Sequence, residues 1–292
     1  SGRVMAASDQ AALLASAGDD MALCTLVGIE GSFSRRIGAQ IAIAPDGRTV
    51  GSLSDGCLER QLAADALAAR AAGEGPRVMR YGRGSPIIDF RLPCGGGLDI
   101  LIDPAPDRAA LQQATRRLAD RQEALLPLPL PADAAPGLLA HRAYVPRLKT
   151  LLFGEGPEFA AFATLAAAMG AEVEGHGRAE AGRSGLALGQ VPPAMTADRW
   201  TAILLLFHDH EWERALLRWA VTTPAAFIGA QGGGPARAER TAILRADGVA
   251  EDAIARIRSP IGLIASARDP EVLALSVLAE IIAAYEQLHP HR

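Results

Sequence analysis

Between Thr201 and Phe207 the chain reads TAILLLF, an apolar run with no alternation of polar and apolar positions. A strand that is apolar on both faces belongs in a sheet covered on both sides, and such sheets are mostly parallel. The surroundings repeat that logic. Lys149–Phe153 and Ala171–His176 read as strands on either side of a helix at Pro157–Met169. A helix at Glu211–Val221, a short strand at Ala225–Ala230 and a helix from about Pro235 to Arg245 follow. Asp269-Pro270-Glu271 then opens a long final helix reaching about Leu288, with Asp expected at the N-cap and Pro at the first helical position. Strand–helix alternation of this kind predicts a doubly wound parallel sheet, a Rossmann-like C-terminal domain.

The half before it has another rhythm. Met21–Ile29 is an apolar run of strand length, and Gln40–Ala44 and Arg48–Leu53 flank an Asp-Gly turn. Leu58–Ala72 reads as a helix, Ile87–Leu92 and Leu98–Ile102 as strands, and Asp107–Glu123 as a helix. This predicts an N-terminal α+β domain built on a mixed sheet. Between the halves lies LLPLPLPADAAP, Leu125 to Pro136, whose four prolines remove backbone donors and favour extended chain. It reads as a linker or as a strand at a sheet edge. The expected division is 1–124, a proline-rich linker 125–147, and 148–292.

With 49% hydrophobic and 21% charged residues the chain has material for substantial cores, which excludes wholesale disorder. Its net charge of −4, and a basic complement that is arginine apart from Lys149, argue against a nucleic-acid coat. The longest wholly apolar run, Ala202–Phe207, is far short of the roughly 20 residues of a membrane span. Three cysteines cannot build a disulfide framework, so thiols in a reducing cytoplasm are expected, and no secretory leader is read at the start.

Several segments carry candidate chemistry. Gly31, Ser32, Arg35 and Gly38 lie in GSFSRRIGA between two strands, where backbone N–H groups, hydroxyls and a guanidinium fork suit an anion; the plainer alternative is a connection whose arginines face water. Gly51, Ser52, Ser54, Gly56, Cys57 and Glu59 fall where a strand ends and a helix begins. A thiol in the first turn of a helix meets the positive end of its dipole, which favours thiolate, the form that ligates a soft metal. The alternative for Cys57 is a small residue packed beneath the turn. Cys94, Gly95 and Gly96 open a glycine run that lets something approach the backbone closely, and Cys24, in an apolar strand, reads as core. Neither Cys57 nor Cys94 has the spacing of a structural zinc site.

In the second half Gly154 and Gly156 follow a strand and open a helix, the context in which a GxGxxG-like loop can hold a pyrophosphate. Phe159 stands where the third small residue belongs, and the next strand ends at His176 and Arg178 without an acid for a ribose hydroxyl. Glu155 and Glu158 add negative charge to the same loop. His208 and Asp209 sit at the end of the TAILLLF strand, either as a His-x-His metal pair with its acids or as a polar loop capping the next helix.

The order of these blocks resembles the xanthine dehydrogenase accessory (XdhC/CoxI) family. Gly31–Ala39 is similar to its G-S-x-P-R-x-x-G-A pattern, Asp46–Glu59 to D-G-x-x-x-G-S-x-S-G-G-C-x-E, and Cys94-Gly95-Gly96 to a later C-G-G. Gly154–Pro157, His208-Asp209, Phe227–Gly229, Ser259–Leu263 and Ser276–Ile282 continue the likeness. Ser34 replaces a usual Pro, Asp55 a usual Gly, His176 a usual Asp, and Gly232-Gly233 a usual Gly-Ser. The resemblance implies a chaperone without turnover that binds molybdenum cofactor and delivers it, after sulfuration, to an apo molybdenum hydroxylase of the xanthine or CO dehydrogenase type. It further implies Arg35 for the cofactor phosphate, Cys57 nearest the molybdenum, and Cys94 to Gly96 as a second wall. A cysteine desulfurase would be a second partner, and two copies would pair through the final helix or sheet edges. Two other readings stay open at this point: an oxidoreductase using NAD(P) in its second domain, and an interaction protein whose nucleotide pocket has decayed.

Overall fold

The computed structural model describes residues 9–54, 56–85, 96–178 and 185–291. The chain forms two compact units, Ser1–Pro146 with His289–Arg292, and Arg147–Leu288. The first unit contains α1 (Ala11–Gly18), β1 (Ala22–Glu30), β2 (Gln40–Ile43), β3 (Thr49–Gly51), α2 (Gly56–Ala71), β4 (Arg77–Gly82), β5 (Gly97–Asp103), α3 (Arg108–Ala119), β6 (Ala124–Pro127) and β7 (His141–Tyr144). The second contains β8 (Lys149–Gly154), α4 (Gly156–Ala168), β9 (Glu172–His176), β10 (Thr201–Leu206), α5 (Glu213–Ala220), β11 (Phe227–Ala230), α6 (Gly234–Ala246), α7 (Glu251–Ala255), β12 (Ile257–Arg258) and α8 (Pro270–Glu286). The strand expected at Ile87–Leu92 lies outside the described residues.

Among the described residues the first sheet has the order β3-β2-β1-β5-β4, and each of its pairings is antiparallel. β1 is apolar over most of its length, Thr25 and the terminal Glu30 apart, because both of its faces are covered. Ala22, Cys24 and Leu26 point into a core shared with Leu58, Leu62 and Ala66 of α2. Leu23 and Val27 point the other way, into a core shared with Leu13 of α1, Leu111 and Leu118 of α3, and Leu126 of β6. The proline-rich segment does not run as a free linker. β6 pairs with β7 in a two-stranded ribbon, and Leu126 and Leu128 are buried in that second core. Prolines are tolerated on such a ribbon because its outer edge needs no backbone donor.

The second sheet, β12-β11-β10-β8-β9, is parallel at every pairing. α4 and α8 cover one face through Phe162, Ala166, Val277 and Ile281; α5, α6 and α7 cover the other through Leu216, Leu217, Leu244 and Ile254. Strand order reverses between β8 and β10, so the loops after these two strands flank the crevice where doubly wound folds receive ligands. Asp269 precedes Pro270 as expected, yet its side chain makes no capping hydrogen bond. The expected helix at Asp107–Glu123 stops at Ala119, but Asp107 does cap it, accepting from the N–H groups of Ala109 and Ala110.

Candidate functional site

The register of the first sheet gathers three of the singled-out segments at one end. Thr25 lies opposite Gln40, Ile41 opposite Gly51, Glu30 opposite Gly97, and Gly82 opposite Gly97 on the far side. β1, β3 and β4 therefore end where β2 and β5 begin. The loop 31–39, the turn from Gly51 into α2, and the entry to β5 at Gly96 all leave from this edge. A Cβ placed on Gly31 would stand 3.5 Å from the Cα of Gly96, so the first and third segments touch. Cys94, Gly95 and Asp55 lie outside the described residues.

Local chemistry explains the turn. Gly51 has φ +93°, and a Cβ there would meet the Gln40 carbonyl at 2.6 Å, so only glycine fits. One oxygen of Glu59, in the first turn of α2, accepts from the N–H of Leu53 (2.9 Å), the N–H of Ser54 (3.1 Å) and the Ser52 hydroxyl (3.2 Å). Leu53 is fully buried beneath. Glu59 thus holds the loop, and those two amides are spent on it rather than left for a ligand.

Above this braced turn the polar groups face outward. Arg35 donates from Nη2 to the Ser52 hydroxyl at 3.2 Å, which ties the 31–39 loop to the turn. Cys57 is exposed, so it is not packed beneath the turn. Arg60, one helical turn along, places Nη2 3.2 Å from the Cys57 sulfur. Sequence reading missed Arg60, although its i+3 spacing from Cys57 was the available signal. Among the described residues neither Arg35 nor Arg60 forms an ion pair with a carboxylate. Each keeps most of its five N–H donors facing outward. Farther along the rim Arg80 pairs with Glu30 and, at 2.8 Å, with Asp99. Cys24 is buried; burial, with Asp65 and Asp103 nearby, pushes its thiol well above the ordinary range, as befits a core residue.

The second unit arranges its glycine turn differently. Gly154 has φ +141°, and a Cβ on it would strike the Leu206 carbonyl oxygen at 2.2 Å. Phe159 is accommodated by a glycine elsewhere: a Cβ on Gly175 of β9 would lie 3.0 Å from the Phe159 ring. Arg178 is occupied, with Nε 3.0 Å from Glu155, Nη2 3.7 Å from Asp209, and its guanidinium 4.7 Å from the centre of the Trp212 ring. His176 stacks on Phe153 and bonds Glu174 at 2.9 Å. Asp209 caps the short 3-10 turn His210–Trp212 by accepting from the Glu211 N–H. His208 is exposed, 3.7 Å from Glu158. The capping alternative for this segment is the one observed, and among the described residues no cluster of three His, Cys, Asp or Glu could hold a metal ion.

Residues 14–82 match the XdhC and CoxI family, and residues 150–281 match the XdhC Rossmann domain. The chain belongs to the XdhC and CoxI family. It is 32% identical, over 277 residues, to the molybdenum cofactor insertion chaperone PaoD of Escherichia coli K12, covering 90% of this chain and 83% of PaoD. A crystal structure described as a xanthine dehydrogenase from Bacillus halodurans shares the fold, with a TM-score of 0.71 at 19% identity over 95% of both chains. No helix among the described residues is long and apolar enough to cross a membrane.

Proposed function

We propose that this XdhC/CoxI protein binds molybdenum cofactor at the loop edge of its first unit and passes it to an apo molybdenum hydroxylase of the xanthine or CO dehydrogenase type. It would have no turnover of its own. The observation that carries the reading is the grouping of Arg35, Cys57 and Arg60 around one braced turn. Molybdopterin carries a phosphate, which suits a guanidinium fork, and its soft molybdenum–sulfur end suits a thiolate. Arg35 binds the phosphate, with Ser52 orienting it. Cys57 faces the molybdenum end with Arg60 beside it, and the Gly31–Gly96 contact supplies the second wall. Gly38, Gly51, Ser54, Gly56 and Glu59 shape and brace the loops.

The relation to PaoD supports this choice of cargo. The second unit offers little to a dinucleotide, because Glu155 stands where a pyrophosphate would approach and Arg178 is already paired with it. Sulfuration by a cysteine desulfurase before delivery, pairing of two copies, and operation in the reducing cytoplasm complete the proposal; an exposed Cys57 thiol fits such a compartment. The test is to incubate the purified protein with molybdenum cofactor, desalt it, and measure bound molybdenum and pterin. Stoichiometric retention is expected. Micromolar NAD(P) binding with no uptake of molybdenum or pterin would overturn the reading.

A further inference from the structure

The buried Arg142 and the segment that follows α8 meet at the hinge of the loop that carries Arg35. Gly38 closes that loop with φ +84°; a Cβ there would stand 2.8 Å from Cδ and 2.9 Å from Nε of Arg142, and 3.3 Å from the His291 ring. Arg142 is fully buried. Its Nε donates to the Gly38 carbonyl at 2.6 Å, its Nη2 pairs with Asp9 at 2.6 Å, its Nη1 donates to the Ala143 carbonyl, and its guanidinium lies 4.4 Å from the centre of the Tyr144 ring. The other oxygen of Asp9 accepts from His289 Nε2 at 3.0 Å. His289 Nδ1 in turn accepts the His291 N–H at 3.1 Å, and His291 Nε2 accepts the Ala143 N–H at 2.9 Å.

We propose that His289–His291 is a latch on the Gly31–Ala39 loop, with Arg142 as the positioning residue that transmits it to Gly38. The inference rests on the cargo site proposed above: displacing the latch loosens the loop bearing Arg35 and weakens its grip on an anionic cargo. Burying a guanidinium is costly unless each of its partners is in place, so the tail, Asp9 and Gly38 are held or released together. The imidazole of His291 must be unprotonated at Nε2 to accept from Ala143. It faces Arg142, His289, Asp9 and Arg36; burial, and then the nearby cations, hold it down at about 4 against the ordinary 6.5. A freed tail therefore takes up a proton that the docked tail refuses. Docking is at full strength above pH 6.5 and is lost progressively as pH falls towards 4.

Hydrogen exchange on the full chain, followed by mass spectrometry, tests the latch. In His291→Ala the peptide covering 31–39 should exchange at least tenfold faster at pH 7 while the β1 peptide 22–29 stays as in the parent. His291→Gln, which keeps an acceptor, should remain within threefold of the parent. The parent at pH 5, corrected for intrinsic rates, should move towards His291→Ala. Unchanged exchange at 31–39 in His291→Ala, or equal acceleration in both peptides, overturns the latch. Molybdenum retained after desalting should fall at least threefold in His291→Ala and recover in His291→Gln; undiminished retention beside faster exchange overturns the coupling to cargo. A parent that retains no molybdenum refutes the cargo site instead, and the exchange comparison still decides the latch.

Discussion

Both units end a strand in a glycine-rich turn that leads straight into a helix, yet they handle charge in opposite ways. At the first turn the carboxylate of Glu59 faces inward and is absorbed by the turn's own N–H groups and hydroxyl, leaving Arg35 and Arg60 outward beside Cys57. At the second turn Glu155 faces the ligand crevice and neutralises Arg178. The same backbone device thus leaves guanidinium groups without a carboxylate partner among the described residues in one unit and pairs one off in the other. A strand–turn–helix supplies geometry, and the side chains decide what that geometry can hold.

The comparison breaks most severely if damage to the second unit abolishes cargo binding. Glu213 and Arg240 form a bidentate pair there, both buried, with Arg240 also donating to Ser259 and to the Gln231 carbonyl. Glu213→Gln strands the guanidinium and should cost about 3–5 kcal/mol in chemical denaturation. Gly154→Val forces a side chain onto the Leu206 carbonyl and should cost roughly 3 kcal/mol. Assayed below their unfolding transitions, both variants should retain molybdenum cofactor as the parent does. Loss of retention there would move the cargo site out of the first unit.

At the first turn, Cys57→Ser and Arg35→Gln should each lower retention of the cofactor tenfold or more, about 1.4 kcal/mol or above, with melting temperature unchanged. Full retention in Cys57→Ser would remove that thiol from the site. Arg178→Gln, the matching change at the second turn, should alter retention less than about twofold, within roughly 0.4 kcal/mol. An effect equal to that of Arg35→Gln would erase the contrast.

The smallest effect concerns Asp103, at the end of β5. Burial raises its pKa; the Ala105 N–H lowers it in part, and Asp107 raises it further. A carboxyl raised in the folded state adds stability only where it is protonated, below the unfolded value of 3.8, and loses that contribution as pH rises through the folded value. Asp103→Asn keeps an acceptor for Ala105 and should therefore stabilise the protein at pH 7 by less than about 2 kcal/mol. The gain should fade below pH 4, and urea titrations at the two pH values give the sign.

The second unit was legible in sequence because parallel strands buried on both faces are written as unbroken apolar runs. The first unit was harder to read. β4 goes unread because the two arginines of RVMRYG stand three apart and no period-two alternation marks a strand. α1 is an eight-residue stretch of Ala, Leu, Ser and Gly with no capping signal. The Leu125–Pro136 segment reads equally as a linker or as an edge strand because prolines dominate its pattern, whereas the burial of Leu126 and Leu128 that decides between them is a tertiary fact. Cys57 and Arg35 were visible through local turn chemistry. Arg142 was not, since its partners Asp9 and Gly38 lie more than a hundred residues away and no local period records them.

The exchange between Phe159 and Gly175 bears on how such loops are recognised at all. The small residue normally expected on the helix has moved across the interface to the strand, and the aromatic ring fills the room it vacates. The two sites should therefore mutate as a pair: Gly175→Ala alone overfills the seam, and shrinking Phe159 alone hollows it, but the two changes made together should largely compensate. A fingerprint written as glycines at fixed positions misses that compensation; one written as summed side-chain volume across the helix–strand seam would detect it.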